Sequence, residues 1–112
     1  MVTLANVRED VDEILPGAVA DRRYLHENPE LGFQEFNTSR FVAERLQTLG
    51  VEDIRTEVNV TGVTGLIRGT GDGSGKGKVV LARADMDALP IVEENEVDYR
   101  SKNDGVMHAC GH

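Results

Sequence analysis

Apolar positions recur three and four residues apart at the start of the chain. Leu4, Val7, Val11 and Ile14 share one helical face, and Ala18, Arg22 and Leu25 extend it. Pro16-Gly17 predicts a kink or break within that helix, because proline lacks a donor and clashes with the preceding turn. Asn28-Pro29 ends it, since a residue before proline is pushed out of helical geometry. A second helix is predicted over about 35–49, with Val42, Leu46 and Leu49 on its buried face and Gly50 as a left-handed cap. Ile54, Thr56, Val58 and Val60 then alternate with polar residues, the period of a half-buried strand. Leu66-Ile67-Arg68 reads as a further short strand. Val79-Val80-Leu81-Ala82 is a continuous apolar run, expected of a strand covered on both faces. Two helices followed by three strands predict an α/β layer rather than a bundle. No internal repeat or interdomain linker breaks the pattern.

Length and composition sharpen this picture. A chain of 112 residues suffices for one domain that buries roughly two-thirds of the surface its unfolded form exposes. Hydrophobic residues at 39% and charged residues at 29% suit a globular protein rather than a disordered one. Three Phe, two Tyr and no Trp predict an aliphatic core. The net charge of −8 argues against a nucleic-acid partner, which needs a basic patch, and against docking on an anionic membrane. No apolar run approaches the ~20 residues that span a bilayer. Residues 1–12 lack the basic and apolar blocks of a signal peptide. A single cysteine cannot form an internal disulfide, so a cytoplasmic location is expected. Two matches to the N-glycosylation pattern, at Asn37 and Asn59, carry no weight without a secretion signal.

The stretch GTGDGSGKG over 69–77 fails both nucleotide-binding spacings. Neither Gly75-Lys76 nor Gly77-Lys78 has a glycine five positions before its own glycine, and GxGxxG fails in every register. A loop between strands is the better reading, because glycine supplies turn geometry.

Two constellations carry chemistry. Cys110 and His112 flank one glycine, so on extended backbone they point the same way and Gly111 lets the chain approach an ion. Thiolate and imidazole suit a borderline-soft divalent ion such as zinc, cobalt or nickel. Taken alone, the pair is a weak signal and reads more often as an ordinary buried thiol and a surface imidazole. Asp85 and Asp87 follow the apolar run at 79–82, where open α/β sheets place binding crevices. One of them could hold a metal-bound imidazole in its tautomer. The plain alternative is a solvated acidic strand end balanced by Arg83. His26-Glu27 resembles the start of H-E-x-x-H, but Glu30 replaces the second histidine and Pro29 prevents the helix. A hydrogen-bonding role is expected for His26 instead.

Read together, these segments resemble one family. The stretch from Arg23 to Glu35 (RYLHENPELGFQE), Thr61-Gly62-Val63, Arg83 to Pro90 (RADMDALP), Ser101 and Gly105 to His112 (GVMHACGH) occur in its order and spacing. The chain is similar, from about Arg22 onward, to the amidohydrolase branch of the aminoacylase-type metallopeptidases. That branch includes hippurate hydrolases, N-acyl-amino-acid amidohydrolases and indole-acetyl-amino-acid hydrolases. RADMDALP and MHACGH together are specific, whereas either alone is only suggestive.

The resemblance implies a fold, an activity and a set of roles. The expected fold is the N-terminal part of a zinc-peptidase-like α/β/α catalytic domain, with residues 1–112 an incomplete portion and the lid domain absent. Cys110 matches the cysteine of a paired-metal site and His112 a histidine ligand of one ion. Asp87 matches the aspartate that supports the site from behind the ligands. Asp85 stands where the wider superfamily has a metal-binding histidine, a departure that leaves its role open; His108 is not made a ligand. Two divalent ions per complete site are implied, drawn from zinc, manganese, cobalt or nickel. The general-base glutamate and further ligands lie past residue 112 in the family pattern, so the fragment itself is expected to be inactive. Hydrolysis of the amide of a small-molecule N-acyl amino acid is the expected reaction of the full-length protein, which could form a homo-oligomer. A related dipeptidase or carbamoyl hydrolase is one alternative. A non-catalytic small domain that binds a metal or partner through its cysteine is another.

Overall fold

The computed structural model describes residues 3–71 and 77–111. Helix α1 runs over Leu4–Glu27, helix α2 over Phe36–Thr48, strand β1 over Glu52–Val58 and strand β2 over Gly62–Leu66. The two strands form an antiparallel hairpin, and α2 lies beside it.

Helix α1 starts at Thr3, whose side chain accepts from the Asn6 amide while the Asn6 side chain reaches back to the Thr3 amide. This reciprocal capping box satisfies two donors that have no partner within the helix. The helix stops at Asn28-Pro29, as expected, but it does not break at Pro16. Proline there forfeits one hydrogen bond, and Asp12 and Pro16 both face solvent, so water can serve the carbonyl left over. The predicted buried face is also corrected. Leu4, Val7, Val11 and Ile14 are all exposed, Leu4 by 90%. Spacing identifies an apolar stripe, but among the described residues no element covers it. Packing begins only near the helix end. There the Tyr24 ring stacks on Phe41 at 4.6 Å, and Asp21 accepts from Arg45 Nε at 2.8 Å.

Helix α2 matches its predicted span within a residue at each end, and Gly50 adopts the left-handed conformation with φ of 75°. Its cap comes from elsewhere. The Glu35 side chain makes no capping bond, whereas the Glu30 carboxylate accepts from the Thr38 amide at 2.6 Å, Thr38 Oγ1 at 2.7 Å and the Asn37 amide at 3.2 Å. Partial burial opposes ionisation of Glu30, but these donors outweigh it and hold its carboxyl below the usual range. Buried Glu35 instead accepts from Thr61 Oγ1 at 2.7 Å, fixing the hairpin turn to the start of α2. Val42 and Leu46 are half-buried as predicted, but Leu49 is exposed.

The hairpin departs from strict alternation. Glu52 pairs with Leu66, Arg55 with Thr64 and Val58 with Gly62, so three residues of β1 oppose two of β2 in each interval. Asp53 and Glu57 have positive φ at these irregularities, the signature of an inserted residue that bends a strand. Each bulge resets which side chains face inward, and within β1 only Ile54 is half-buried. The chain turns at Asn59 and Val60, both with positive φ. The strand predicted at Leu66-Ile67-Arg68 therefore starts and ends earlier than the apolar pattern suggests, and Ile67 is exposed.

The run at 79–82 forms no strand, and Val79, Val80 and Leu81 are each more than 85% exposed. A strand needs a hydrogen-bonding neighbour, and none of the described residues pairs with this run. Burial concentrates instead at Pro29, Ala88 and Val106, alongside polar His26, Glu35, Thr38, Ser39, Thr61 and Glu93. The expected aliphatic core is replaced by small apolar residues interleaved with hydrogen-bonded polar ones.

Candidate active site

The segment from Arg83 to Cys110 carries both motif halves with almost no regular structure of its own. Two short backbone ladders position it. Ala88 donates to the Glu30 carbonyl at 2.8 Å in a parallel bridge beside Leu31. Leu89 and Met107 exchange hydrogen bonds of 2.9 and 3.0 Å in an antiparallel bridge. This second bridge joins the end of RADMDALP to the start of MHACGH. Two stretches that the sequence links only by resemblance are neighbours in space.

The individual residues divide sharply. Arg83 pairs with Asp85 through its guanidinium, as the plain reading of an acidic segment balanced by arginine expects. The segment does not follow a buried strand, so the crevice argument for Asp85 and Asp87 finds no support among the described residues. Asp87 lies against Gly32, where a Cβ would meet Asp87 Oδ2 at 3.9 Å, an ordinary contact. Its backbone accepts a hydrogen bond from His108. Cys110 is exposed, and His112 lies outside the described residues.

His108 is partly buried, and its Nε2 is enclosed with no hydrogen-bond partner among the described residues. Burial lowers its pKa, helped by the neighbouring His26 and opposed by the charge and backbone of Asp87. The His108 ring lies 6.5 Å from the His26 ring.

His26 has the hydrogen-bonding role expected of it. Its Nε2 lies 2.8 Å from Glu93 Oε1, and the Tyr99 ring meets it edge-on at 5.7 Å. Glu93 is the residue that sequence reasoning missed. Its carboxylate also accepts from the Ser101 amide at 2.6 Å and from Asn95 Nδ2 at 3.2 Å, while its carbonyl accepts from Arg100. The Ser101 amide is the largest influence; with His26 and Asn95 it outweighs burial and lowers the Glu93 pKa to about 2. Glu93, Glu94 and Glu96 look alike in a one-dimensional pattern, and nothing there marks the first as buried.

A divalent ion would find a fitting donor in the Cys110 thiol, which suits zinc-like ions. The described residues supply only part of a donor set, since no three His, Cys, Asp or Glu among them are grouped to hold a metal. An open groove of about 630 Å³ between α2 and β1, lined by residues such as Phe36, Arg40 and Ile54, contains no residue of the RADMDALP or MHACGH segments.

Comparison with known proteins decides what this arrangement belongs to. Residues 81–112 match the model of peptidase family M20/M25/M40. Over 112 residues the chain is 46% identical to thermostable carboxypeptidase 2 of Saccharolobus solfataricus, covering all of this chain and 28% of that protein. The chain is a member of the M20 family. An N-acyl-L-amino acid amidohydrolase of Geobacillus stearothermophilus is also 46% identical, over 99% of this chain and 29% of its own length. Among solved structures, the Bacillus subtilis YXEP protein, described as a dinuclear metal binding peptidase from the M20 family, superposes with a TM-score of 0.72 at 44% identity. That match covers 83% of this chain and 25% of the other. The chain thus spans less than a third of its M20 relatives, and its fold is a partial α/β catalytic domain of that family. No helix among the described residues is long and apolar enough to cross a membrane.

Proposed function

We propose that the whole protein hydrolyses the amide bond of small N-acyl amino acids, with residues 1–112 forming the amino-terminal part of its catalytic domain. The observation that carries this reading is the Leu89–Met107 bridge, which sets the RADMDALP and MHACGH segments side by side. The M20 relationship, with an N-acyl-L-amino acid amidohydrolase among the relatives, supports the reaction class.

Cys110 and His112 would hold a divalent ion, with a second ion in the complete site. Zinc, manganese, cobalt and nickel all match a set that mixes thiolate, imidazole and carboxylate donors. When bound, such ions polarise the amide carbonyl and activate water for attack. Asp87 supports the site from behind the ligands, and its charge favours a proton on neighbouring His108. Asp85 is committed to Arg83 and is assigned no ligand role. In the family pattern the proton-transferring glutamate and the remaining ligands follow this segment. A reducing, cytoplasmic setting suits the thiol ligand.

Turnover of hippurate and N-acetyl amino acids by the full-length protein tests the reading. Activity should vanish with a chelator, and Cys110→Ala should lower both metal content and kcat. Retention of full activity and metal by Cys110→Ala would sink it. The relative named as a carboxypeptidase favours a second reading, an exopeptidase with the same metal chemistry. Faster turnover of a dipeptide than of hippurate would select it.

A further inference from the structure

The path of hydrogen bonds behind the motif segments leads back to one buried carboxylate. Glu93 contacts His26 at the end of α1 and the Ser101 amide in the following loop. Ser101 Oγ donates in turn to the Val106 carbonyl at 2.7 Å. Val106 is buried and adjoins Met107, which pairs with Leu89. Two further bonds hold the same loop to the end of α1 and to Pro29 just after it. The Lys102 amide donates to the Glu27 carbonyl at 2.8 Å, and Asn103 Nδ2 to the Pro29 carbonyl at 3.1 Å. Two residues separate Met107 from Cys110.

We propose that Glu93, through His26 and Ser101, is a positioning residue for the 107–110 segment. It fixes where Cys110 is presented without touching metal or substrate. The metal consequence rests on the assignment of Cys110 as a ligand; the positioning itself does not. The physical case is that, among the described residues, the backbone of 107–110 joins no named strand, and its bridge, at Met107 to Leu89, is an isolated one. A lone two-residue bridge is weak unless the chain on each side is anchored. In the loop at 91–106, Glu93 and Ser101 are the anchors that lead to Val106, and Lys102 and Asn103 tie the same loop to Glu27 and Pro29.

Amide hydrogen exchange in the full-length protein tests this, in Glu93→Ala, Glu93→Gln and Ser101→Ala, with Thr61→Ala as a control that loosens the hairpin instead. The expected result is loss of protection by tenfold or more at Leu89 and Met107 in Glu93→Ala and Ser101→Ala, while α2 stays protected. Glu93→Gln should restore most of it, because the amide can still accept from Ser101 and donate to His26. Thr61→Ala should leave Leu89 and Met107 as in wild type. Cobalt titration, read by the thiolate-to-cobalt absorption band, should show affinity weakened about tenfold in Ser101→Ala. Wild-type protection at Leu89 and Met107 in both variants would overturn the proposal. So would equal loss of protection across α2, which would make Glu93 a general stabilising residue. A wild-type protein with no cobalt–thiolate band would refute the metal reading while the exchange result still judged the positioning.

Discussion

The α2–hairpin unit and the 83–110 segment are both ordered, but by different forces. In the first, neighbours in sequence meet: a helix, a two-stranded ladder and the Glu35–Thr61 bond that joins them. In the second, contacts span 67 to 75 residues, from His26 to Glu93, Pro29 to Asn103 and Glu27 to Lys102. Local structure supplies most of the order in one region, and a buried carboxylate supplies it in the other. A segment held by a few polar bonds can carry ligands on irregular backbone, but each bond then matters more. Removing one partner leaves the others buried and unpaired, which costs more than the bond itself contributes.

The contrast breaks most visibly at Glu93. Glu93→Ala strands the His26 imidazole and the Ser101 amide, and a loss of about 3 kcal/mol is expected for breaking such a buried charged network. Thr61→Ala, on the other side of the comparison, removes one neutral-donor bond to a carboxylate and should cost about 1.5 kcal/mol. Urea unfolding of both variants measures the two. Equal losses would mean that the 83–110 segment depends no more on its polar anchor than the hairpin does.

Acid gives the same comparison without mutation. The Glu93 carboxyl titrates at about 2 in the fold against an ordinary value of 4.5. Between those values the unfolded chain binds more protons than the folded one, so stability falls as pH drops. The contribution is fully present above about 4.5 and is lost as pH approaches 2. His26 faces this carboxylate and Arg100 binds the adjacent carbonyl, so Glu93→Gln is the control. It should flatten the part of the acid profile that belongs to Glu93. An unchanged profile between pH 5 and 2 in that variant would refute the assignment.

These two regions also differ in how legible they are in the sequence. Helix α2, its glycine cap and the stop at Asn28-Pro29 rest on local rules, and the structure keeps them. The hairpin was only partly legible, because the bulges at Asp53 and Glu57 depend on pairing that a one-strand pattern cannot show. The apolar run at 79–82 names a residue preference, but a strand also needs a partner. At the site, resemblance singled out Cys110, His112 and Asp87, and the residues supporting them stayed hidden. Glu93 differs from Glu94 only by which long-range neighbours it meets, and those follow from the fold.

A smaller effect is expected at the cap of α2. Glu30→Ala removes the acceptor for the Thr38 and Asn37 amides, donors that the helix itself leaves unsatisfied. Loss of a cap typically costs about 1 kcal/mol. Because Glu30 also presents its carbonyl to Ala88, the variant separates side-chain capping from backbone pairing. Exchange should quicken in the first turn of α2 and stay unchanged at Ala88.

The smallest effect lies between α1 and α2. The Asp21–Arg45 pair has side chains about one-third or more exposed, where ion pairs contribute roughly 0–1 kcal/mol and are screened by salt. The Tyr24–Phe41 stack, at 4.6 Å and 26° between planes, adds about 1 kcal/mol beyond the area it buries. Tyr24→Ala should therefore destabilise more than Asp21→Asn, and only the Asp21→Asn difference should shrink in high salt. The reverse order in thermal unfolding would show that charge, not ring packing, seats α1. The same polar logic found at Glu93 would then extend along the helix to Asp21, five residues before His26.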